Sequence, residues 1–168
     1  MAVTQDFEAF YRAEQLGARK IGFTLLGNWE DAEDVAQEAF LTLSRRWDTV
    51  GGYDSPRAWL HNVICNRARS VGRRRAVRAR KRHLVETDRS WTAPAATELL
   101  AEYAEVVRAV CTLPMRERCV VGLWMCGFPE RDIAEALHLS LAEVKRRRAR
   151  AKVKLSGMLG EALVEDDE

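Results

Sequence analysis

The chain has 168 residues, with 27 Lys and Arg against 25 Asp and Glu, and a hydrophobic content of 47%. That length admits one domain or two small ones, and that apolar fraction excludes global disorder. The balanced charge conceals a segregation: nine bases and no acid from Arg67 to Arg82, and seven bases and no acid from Lys145 to Lys154, which leaves eleven bases against the 25 acids elsewhere.

Two cationic runs on an acidic body imply two contacts with a polyanion and a basic protein partner for the remainder. Cys65, Cys111, Cys119 and Cys126 show no C-x-x-C spacing, and His61, His83 and His138 are scattered. No metal or other cofactor is therefore expected, and Cys119 and Cys126 read as small core residues on one helix face. No signal-peptide pattern or apolar run of about 18 residues occurs, so the expectation is a cytoplasmic protein with reduced thiols and no membrane contact.

In chain order, Thr4 or Asp6 can cap a helix from about Phe7 to Leu26, with Phe7, Phe10, Tyr11, Leu16, Ile21, Leu25 and Leu26 inward and Gly27-Asn28 as its break. A second helix opens in Glu30-Asp31-Ala32-Glu33-Asp34, acids that suit the positive end of a helix dipole, and runs to about Trp47. Val35, Ala36, Ala39, Phe40, Leu43 and Trp47 form its buried face, while Asp31, Asp34 and Glu38 line an acidic outer face beside Gln37. Ser55-Pro56 is an N-cap and first-turn pair for a third helix reaching Arg82. Its inward set is Trp59, Leu60, Val63, Ile64, Ala68 and Val71; Asn62, Asn66, Arg69 and Arg73 face outward and lead into Arg74 and Arg75. Aromatic and amide side chains ahead of an arginine run suit nucleic acid with exposed bases, and Trp59 reads equally as core or as a base contact.

Residues 83–94 lose periodicity and read as a flexible linker. A helix follows from Ala95 to Thr112, interrupted by Leu113-Pro114, then one from Met115 to Cys126 with Val120, Leu123 and Trp124 inward. From Asp132 to Leu155 the pattern is that of a helix-turn-helix: Ile133, Ala134 and Leu137 on the first helix, a turn at His138 where glycine is common, and Ser140-Leu141-Ala142-Glu143 as a capping box for the second. His tolerates positive φ better than most residues. The seven cations behind that cap have no acid among them for i,i+4 relief, which favours a DNA-reading helix over a solvated one. The tail from Glu161 to Glu168 is acidic and reads as frayed. No segment alternates as a strand does. The expected fold is all-α, with two small helical domains at residues 1–82 and 95–160, a linker at 83–94 and a tail at 161–168.

This order of parts resembles the extracytoplasmic-function group of bacterial RNA polymerase sigma factors, and its arginine-rich form resembles the actinobacterial SigE-type set. Two motifs carry the resemblance: Asp31-Ala32-Glu33-Asp34-Val35-Ala36-Gln37-Glu38-Ala39-Phe40, and Leu113-Pro114 followed by Asp132-Ile133-Ala134-Glu135 and Val144-Lys145-x-Arg147-x-x-Arg150-Ala151. The resemblance implies that Asp31, Asp34, Gln37 and Glu38 dock on core RNA polymerase, at the β′ clamp helices, with the β subunit as a further contact. It implies that Trp59, Asn62, Asn66, Arg69, Arg73, Arg74 and Arg75 bind and open the −10 promoter DNA, with Asn66 holding a flipped base. Ser140, Glu143, Lys145, Arg146, Arg147 and Arg150 would then bind the −35 element in its major groove. Ser70, and Ala142-Glu143 in place of the family's Gly-Thr, depart from the usual pattern at positions that bear on promoter sequence. Control would come from a separate anti-sigma protein or from synthesis and turnover.

Two other function classes fit the residues less well. A helix-turn-helix repressor or activator working without polymerase accounts for Lys145 to Lys154 but leaves the acidic helix and the second arginine run unexplained. An enzyme is disfavoured: no nucleophile–base constellation, phosphate-cradling glycine loop or metal-ligand spacing supports catalytic residues or a small-molecule substrate.

Overall fold

In the computed structural model, which describes residues 6–82 and 98–159, the regular elements are all α-helices. A first lobe comprises α1 (Phe7–Leu26), α2 (Trp29–Ser44), the single turn α3 (Trp47–Val50) and α4 (Pro56–Arg82). A second comprises α5 (Glu98–Val110), α6 (Met115–Met125), α7 (Glu130–Leu137) and α8 (Leu141–Leu159). The expected Thr4 cap, the linker, the start of the fifth helix at Ala95 and the acidic tail lie outside the described residues.

Local signals set most boundaries. Asp6 accepts from the Glu8 amide at 3.2 Å, Asn28 from the Asp31 amide at 2.9 Å, and Ser55 from the Ala58 amide at 3.1 Å, each satisfying a first-turn donor. Gly27, at φ 65°, closes α1 by donating to the Phe23 carbonyl, a conformation that favours glycine. The second helix ends at Ser44, earlier than the periodicity predicts; Trp47 starts α3 instead, wedged edge-on against Phe7 at 5.3 Å and tilted against Phe10 at 5.0 Å. Leu16, expected inside, is 53% exposed. Trp124, also expected inside, lies at the surface beneath the Arg148 guanidinium, 4.7 Å from its ring centre.

The two lobes are not separate bodies joined only by a tether. One hydrophobic cluster runs from Phe10, Leu43 and Ile64 in the first lobe through Cys65 and Cys119 to Leu123, Ile133 and Val144 in the second. At the seam α6 comes so close to α1 that a Cβ on Gly122 would lie 2.7 Å from Ile21 Cδ1. Polar ties reinforce the contact. Arg118 Nη1 donates to the Leu25 carbonyl at 2.9 Å, Arg57 Nη2 donates to the Cys126 carbonyl at 3.0 Å, and Thr24 and Tyr103 share a hydroxyl bond at 2.6 Å. Carbonyls at helix ends lack intrahelical donors, so these guanidiniums satisfy groups that the seam would otherwise bury unpaired.

His61 of α4 sits in this seam, wholly buried and tilted against Phe128 with ring centres 4.9 Å apart. Burial first, and the positive charge of Arg57 second, hold its pKa down to about 3. An unfolded histidine titrates near 6.5, so across that interval the unfolded chain binds a proton that the native state refuses. Its contribution is complete above about pH 6.5 and declines as pH falls toward 3, by up to about 1.4 kcal/mol per pH unit. Urea unfolding at about pH 7 and about pH 5 should show the loss, and His61→Leu should flatten that pH dependence. An identical slope in the variant would place the acid sensitivity elsewhere.

Candidate nucleic-acid interface

The first candidate surface is a groove of about 650 Å³ between α2 and α4, lined by Asp31, Asp34 and Glu38 on one side and Asn66, Arg74 and Arg78 on the other. The acids stand here because α2 buries Val35, Ala36, Ala39 and Phe40 on its opposite face. Asp31 is ion-paired to Arg75, and Glu38 to Arg67, whose second branch donates to Thr42 Oγ1 at 2.8 Å. Asp34 and Gln37 are exposed, and among the described residues no cation pairs with Asp34. The acidic face is thus half engaged by α4 and half presented to solvent.

Along the outer face of α4, Asn66 donates to Asn62 Oδ1 at 3.0 Å and accepts from Arg69 Nη1 at 3.3 Å; Arg73 reaches Ser70 Oγ at 3.2 Å. This ladder holds amides and guanidiniums in fixed order along one edge. Trp59 is half-buried against the core, between the two roles that sequence allowed it. Arg73 and Arg74 are exposed, and among the described residues no carboxylate pairs with either. Arg75, grouped with them by sequence, is different: it pairs with Asp31, donates to the Leu26 carbonyl at 3.0 Å, and burial lowers its pKa. It fastens α4 to the end of α1.

In the helix-turn-helix, His138 takes φ 53° and ψ 45°, the left-handed turn that its position required, and is the one non-glycine residue with positive φ among those described. Ser140 Oγ accepts from the Glu143 amide at 3.1 Å, forming half of the capping box. The Glu143 carboxylate does not complete it but pairs with Arg146 and, at 2.6 Å, with Arg147. The cations of α8 also find acids outside their own run: Arg148 pairs with Glu130 at 3.0 Å and Lys154 with Glu117 at 3.0 Å. The expected absence of charge relief is corrected, because neighbouring helices supply the carboxylates. Ser140, Lys145, Arg146 and Arg150 remain exposed, whereas the Arg147 side chain is only 14% exposed.

Arg147 is covered because it faces a cleft of about 980 Å³ between the lobes, which it lines with Arg69, Arg73, Arg75, Arg116 and Arg118. Among the described residues no acid lines this cleft. Among the described residues no group of His, Cys, Asp and Glu is arranged to hold a metal, and no helix is long and apolar enough to cross a membrane.

Residues 10–83 match the Sigma-70 region 2 family, and residues 103–155 match Sigma-70 region 4. The chain belongs to the sigma-70 family. Curated relatives place it within the extracytoplasmic-function group. It is 26% identical over 155 residues to the factor SigM of Mycobacterium tuberculosis, covering 92% of this chain and 77% of that protein. It is 29% identical over 147 residues to EcfG of Rhodopseudomonas palustris, covering 84% and 78%. Among solved structures, RpoE of Bartonella quintana in complex with the anti-sigma factor NepR superposes with a TM-score of 0.75 at 21% identity, over 91% of this chain and 96% of that one. CnrH in complex with the cytosolic domain of CnrY gives 0.65 at 24% identity, over 91% and 86%. The protein is thus a sigma factor, which directs promoter-specific transcription initiation.

Sequence reasoning passed over Arg67, Arg116 and Arg118 in this sigma factor. Arg67 and Arg118 act on residues 29 and 93 positions away, at Glu38 and Leu25, and no local spacing signals that. The division within α4 can be measured. Arg75→Ala should cost about 1–2 kcal/mol in urea unfolding, since it strands a carbonyl and a carboxylate; Arg74→Ala should stay within about 0.5 kcal/mol. Equal effects would contradict the separation of fold-holding from outward-facing arginines.

Proposed function

We propose that residues 1–82 and 95–160 of this sigma factor act as its region 2 and region 4 modules, with the linker at 83–94 and the tail at 161–168 outside them. The single observation that carries the proposal is the placement of charge: an acidic patch on α2 that α4 leaves partly unpaired at Asp34, and exposed cations on α4 and α8. Asp31, Asp34, Gln37 and Glu38 form the docking face for the β′ clamp helices of core RNA polymerase, with Asp34 and Gln37 making first contact because they are unencumbered. The β subunit meets the chain elsewhere.

Asn62, Asn66, Arg69, Arg73 and Arg74 engage the −10 element. The amide ladder offers donors and acceptors to an extruded base, Trp59 offers a partial stacking surface, and Arg73 and Arg74 hold phosphates. Arg75 serves by keeping α4 in place. Ser140, Lys145, Arg146 and Arg150 contact the −35 major groove first. Arg147 and its partner Glu143 join once the lobes part, since the closed cleft covers Arg147. This coverage favours a factor that reads DNA only when polymerase holds its lobes apart, over a repressor that binds duplex alone. The protein works in the cytoplasm as a non-catalytic subunit without cofactors, and its arginine-rich form allies it with the SigE-type subgroup. An anti-sigma protein is its expected regulator; the two solved structures of similar fold, one in complex with the anti-sigma factor NepR and one with the cytosolic domain of CnrY, support this.

Run-off transcription with purified protein, core polymerase and a genomic promoter library tests the proposal. Discrete starts that need both proteins are expected; specific duplex binding without polymerase would favour the repressor reading. Asp34→Lys should weaken core binding about tenfold with unchanged helicity, because it reverses an exposed, unpaired charge. Unaltered affinity would remove Asp34 from the docking face. Arg146→Ala with Arg150→Ala should lower recruitment at chosen −35 bases by about 1–3 kcal/mol per lost guanine pair. A uniform loss across all sequences would mark them as phosphate contacts.

A further inference from the structure

Several arginines that pack against the helices of this protein are met by acids: Arg67 by Glu38, Arg75 by Asp31, Arg148 by Glu130. The interlobe cleft is different. Arg69, Arg73, Arg116 and Arg118 line it, and among the described residues no carboxylate pairs with any of the four. Arg69 and Arg73 reach only Asn66 and Ser70, and Arg118 reaches the Leu113 and Leu25 carbonyls. Between these cations the lining is apolar, from Leu26 and Met115 to Leu137 and Leu139 on either side of the His138 turn. Arginine clusters of this kind recognise acidic motifs, and the apolar lining adds room for aliphatic side chains. The chain carries such a segment. Beyond the end of α8 at Leu159 it reads Gly160-Glu161-Ala162-Leu163-Val164-Glu165-Asp166-Asp167-Glu168, with five acids, no base and an apolar trio among them. We propose that this C-terminal segment docks in the arginine-lined interlobe cleft of its own chain, and that promoter DNA must displace it.

The point of departure favours this occupant. Thr112 Oγ1 donates to the Met158 sulfur at 3.5 Å, and Cys111, the residue before Thr112, lines the cleft. The last turn of α8 therefore lies close to the cleft's rim. Lys154, 3.0 Å from the Glu117 carboxylate, fixes that turn against α6. Arg147, which lines the cleft from the same helix, precedes Leu159 by about 18 Å along the helix axis. Nine extended residues span about 30 Å, so the segment is long enough to fold back to Arg147. The other acidic stretch between the lobes, with Glu86 and Asp88, also holds Arg89 and has the smaller net charge.

Guanidiniums gathered in a partly enclosed cleft repel one another, and carboxylates placed among them turn that repulsion into charge-assisted hydrogen bonds. Leu163 and Val164 bury apolar surface against the aliphatic lining at the same time. Tethering makes even weak docking effective. At an effective concentration of about 1 mM, a segment with an intrinsic Kd of about 0.1 mM weakens a competing polyanion about tenfold. The docked segment covers Arg69, Arg73 and Arg147, to which the proposed function gives promoter contacts. That consequence rests on the sigma-factor reading; the docking itself does not.

Two readouts separate these parts. In the full chain a photoreactive benzophenone amino acid replaces Leu163, and the illuminated protein is digested and mapped. Links within one chain to the stretch from Met115 to Arg118, or to Leu137 and Leu139, are expected, with a yield that falls at high salt. Links found only between two chains would overturn docking in cis, and links found only outside the cleft would overturn the docking altogether. For the consequence, a fluorescent promoter duplex is titrated at low salt. Arg116→Gln removes a cleft cation that has no part in the proposed promoter contacts. It should nonetheless raise duplex affinity about threefold, the size of one exposed ion pair, because it loosens the docked segment. Glu161→Gln, Glu165→Gln, Asp166→Asn, Asp167→Asn and Glu168→Gln together should raise it about tenfold and abolish the gain from Arg116→Gln. Circular dichroism shows that each variant is folded. Duplex affinity that falls or stays level in Arg116→Gln would overturn the competition, while the cross-link map still decides the docking. If run-off transcription gives no starts with either the wild-type or the neutralised segment, it is the sigma-factor reading that fails, and the map again stands by itself.

Discussion

A helix that carries nine bases and no acid over its last sixteen residues repels itself, and the first lobe depends on how that repulsion is relieved. The acceptors that α4 cannot supply from its own turns are drawn from neighbours: Glu14 for Arg57, Glu38 for Arg67, Asp31 and the Leu26 carbonyl for Arg75. Each such pair is partly exposed and modest in energy. Together they orient the helix, since every one fastens it to a different point on α1 or α2. The acidic patch on α2 therefore has two duties. It steadies α4, and its unpaired part, at Asp34 and Gln37, faces solvent.

The same economy of charge operates at α8. Glu143, Glu130 and Glu117 each hold one or more of its cations, so the helix stands without DNA to neutralise it. What distinguishes Arg146 and Arg150 from Arg147 is direction, not residue type. The first two face solvent; the third faces an interlobe cleft lined by five further arginines among apolar side chains. Such a cleft is electrostatically unfavourable to close, and apolar burial at the seam, from Ile21 and Gly122 to Phe128 and Ile133, offsets it. Where opposing terms of this kind nearly balance, a partner with unequal affinity for two arrangements can shift the population between them.

Much of the chain was legible in order of residues. The helix from Phe7 to Leu26 and that from Pro56 to Arg82 have the limits that caps and breakers indicate, and His138 adopts the turn conformation that its position between two amphipathic patterns required. The two motifs led to the right family, because their charged residues keep the helical spacing that the folded helices show. Trp124 and Leu16 misled for a related reason. Periodicity says which residues share a face but not which faces are covered, and a short helix such as α6, buried on most sides, presents little contrast to read.

The amino-acid sequence by itself determined the all-α class, the order of helices, the turn at His138 and the segregation of charge, since these follow from interactions among residues a few positions apart. Only the tertiary structure decided which cations are free to meet a ligand. Arg75 and Arg118 are spent on carbonyls at the end of α1, and Arg147 is turned into the seam, because their partners lie on other helices. Only the packing of α4 and α6 drew Cys65 and Cys119, 54 positions apart and without a spacing signal, into one buried cluster. Long-range juxtaposition depends on how closely helices approach, and at this seam that approach is set by a side chain that Gly122 does not have.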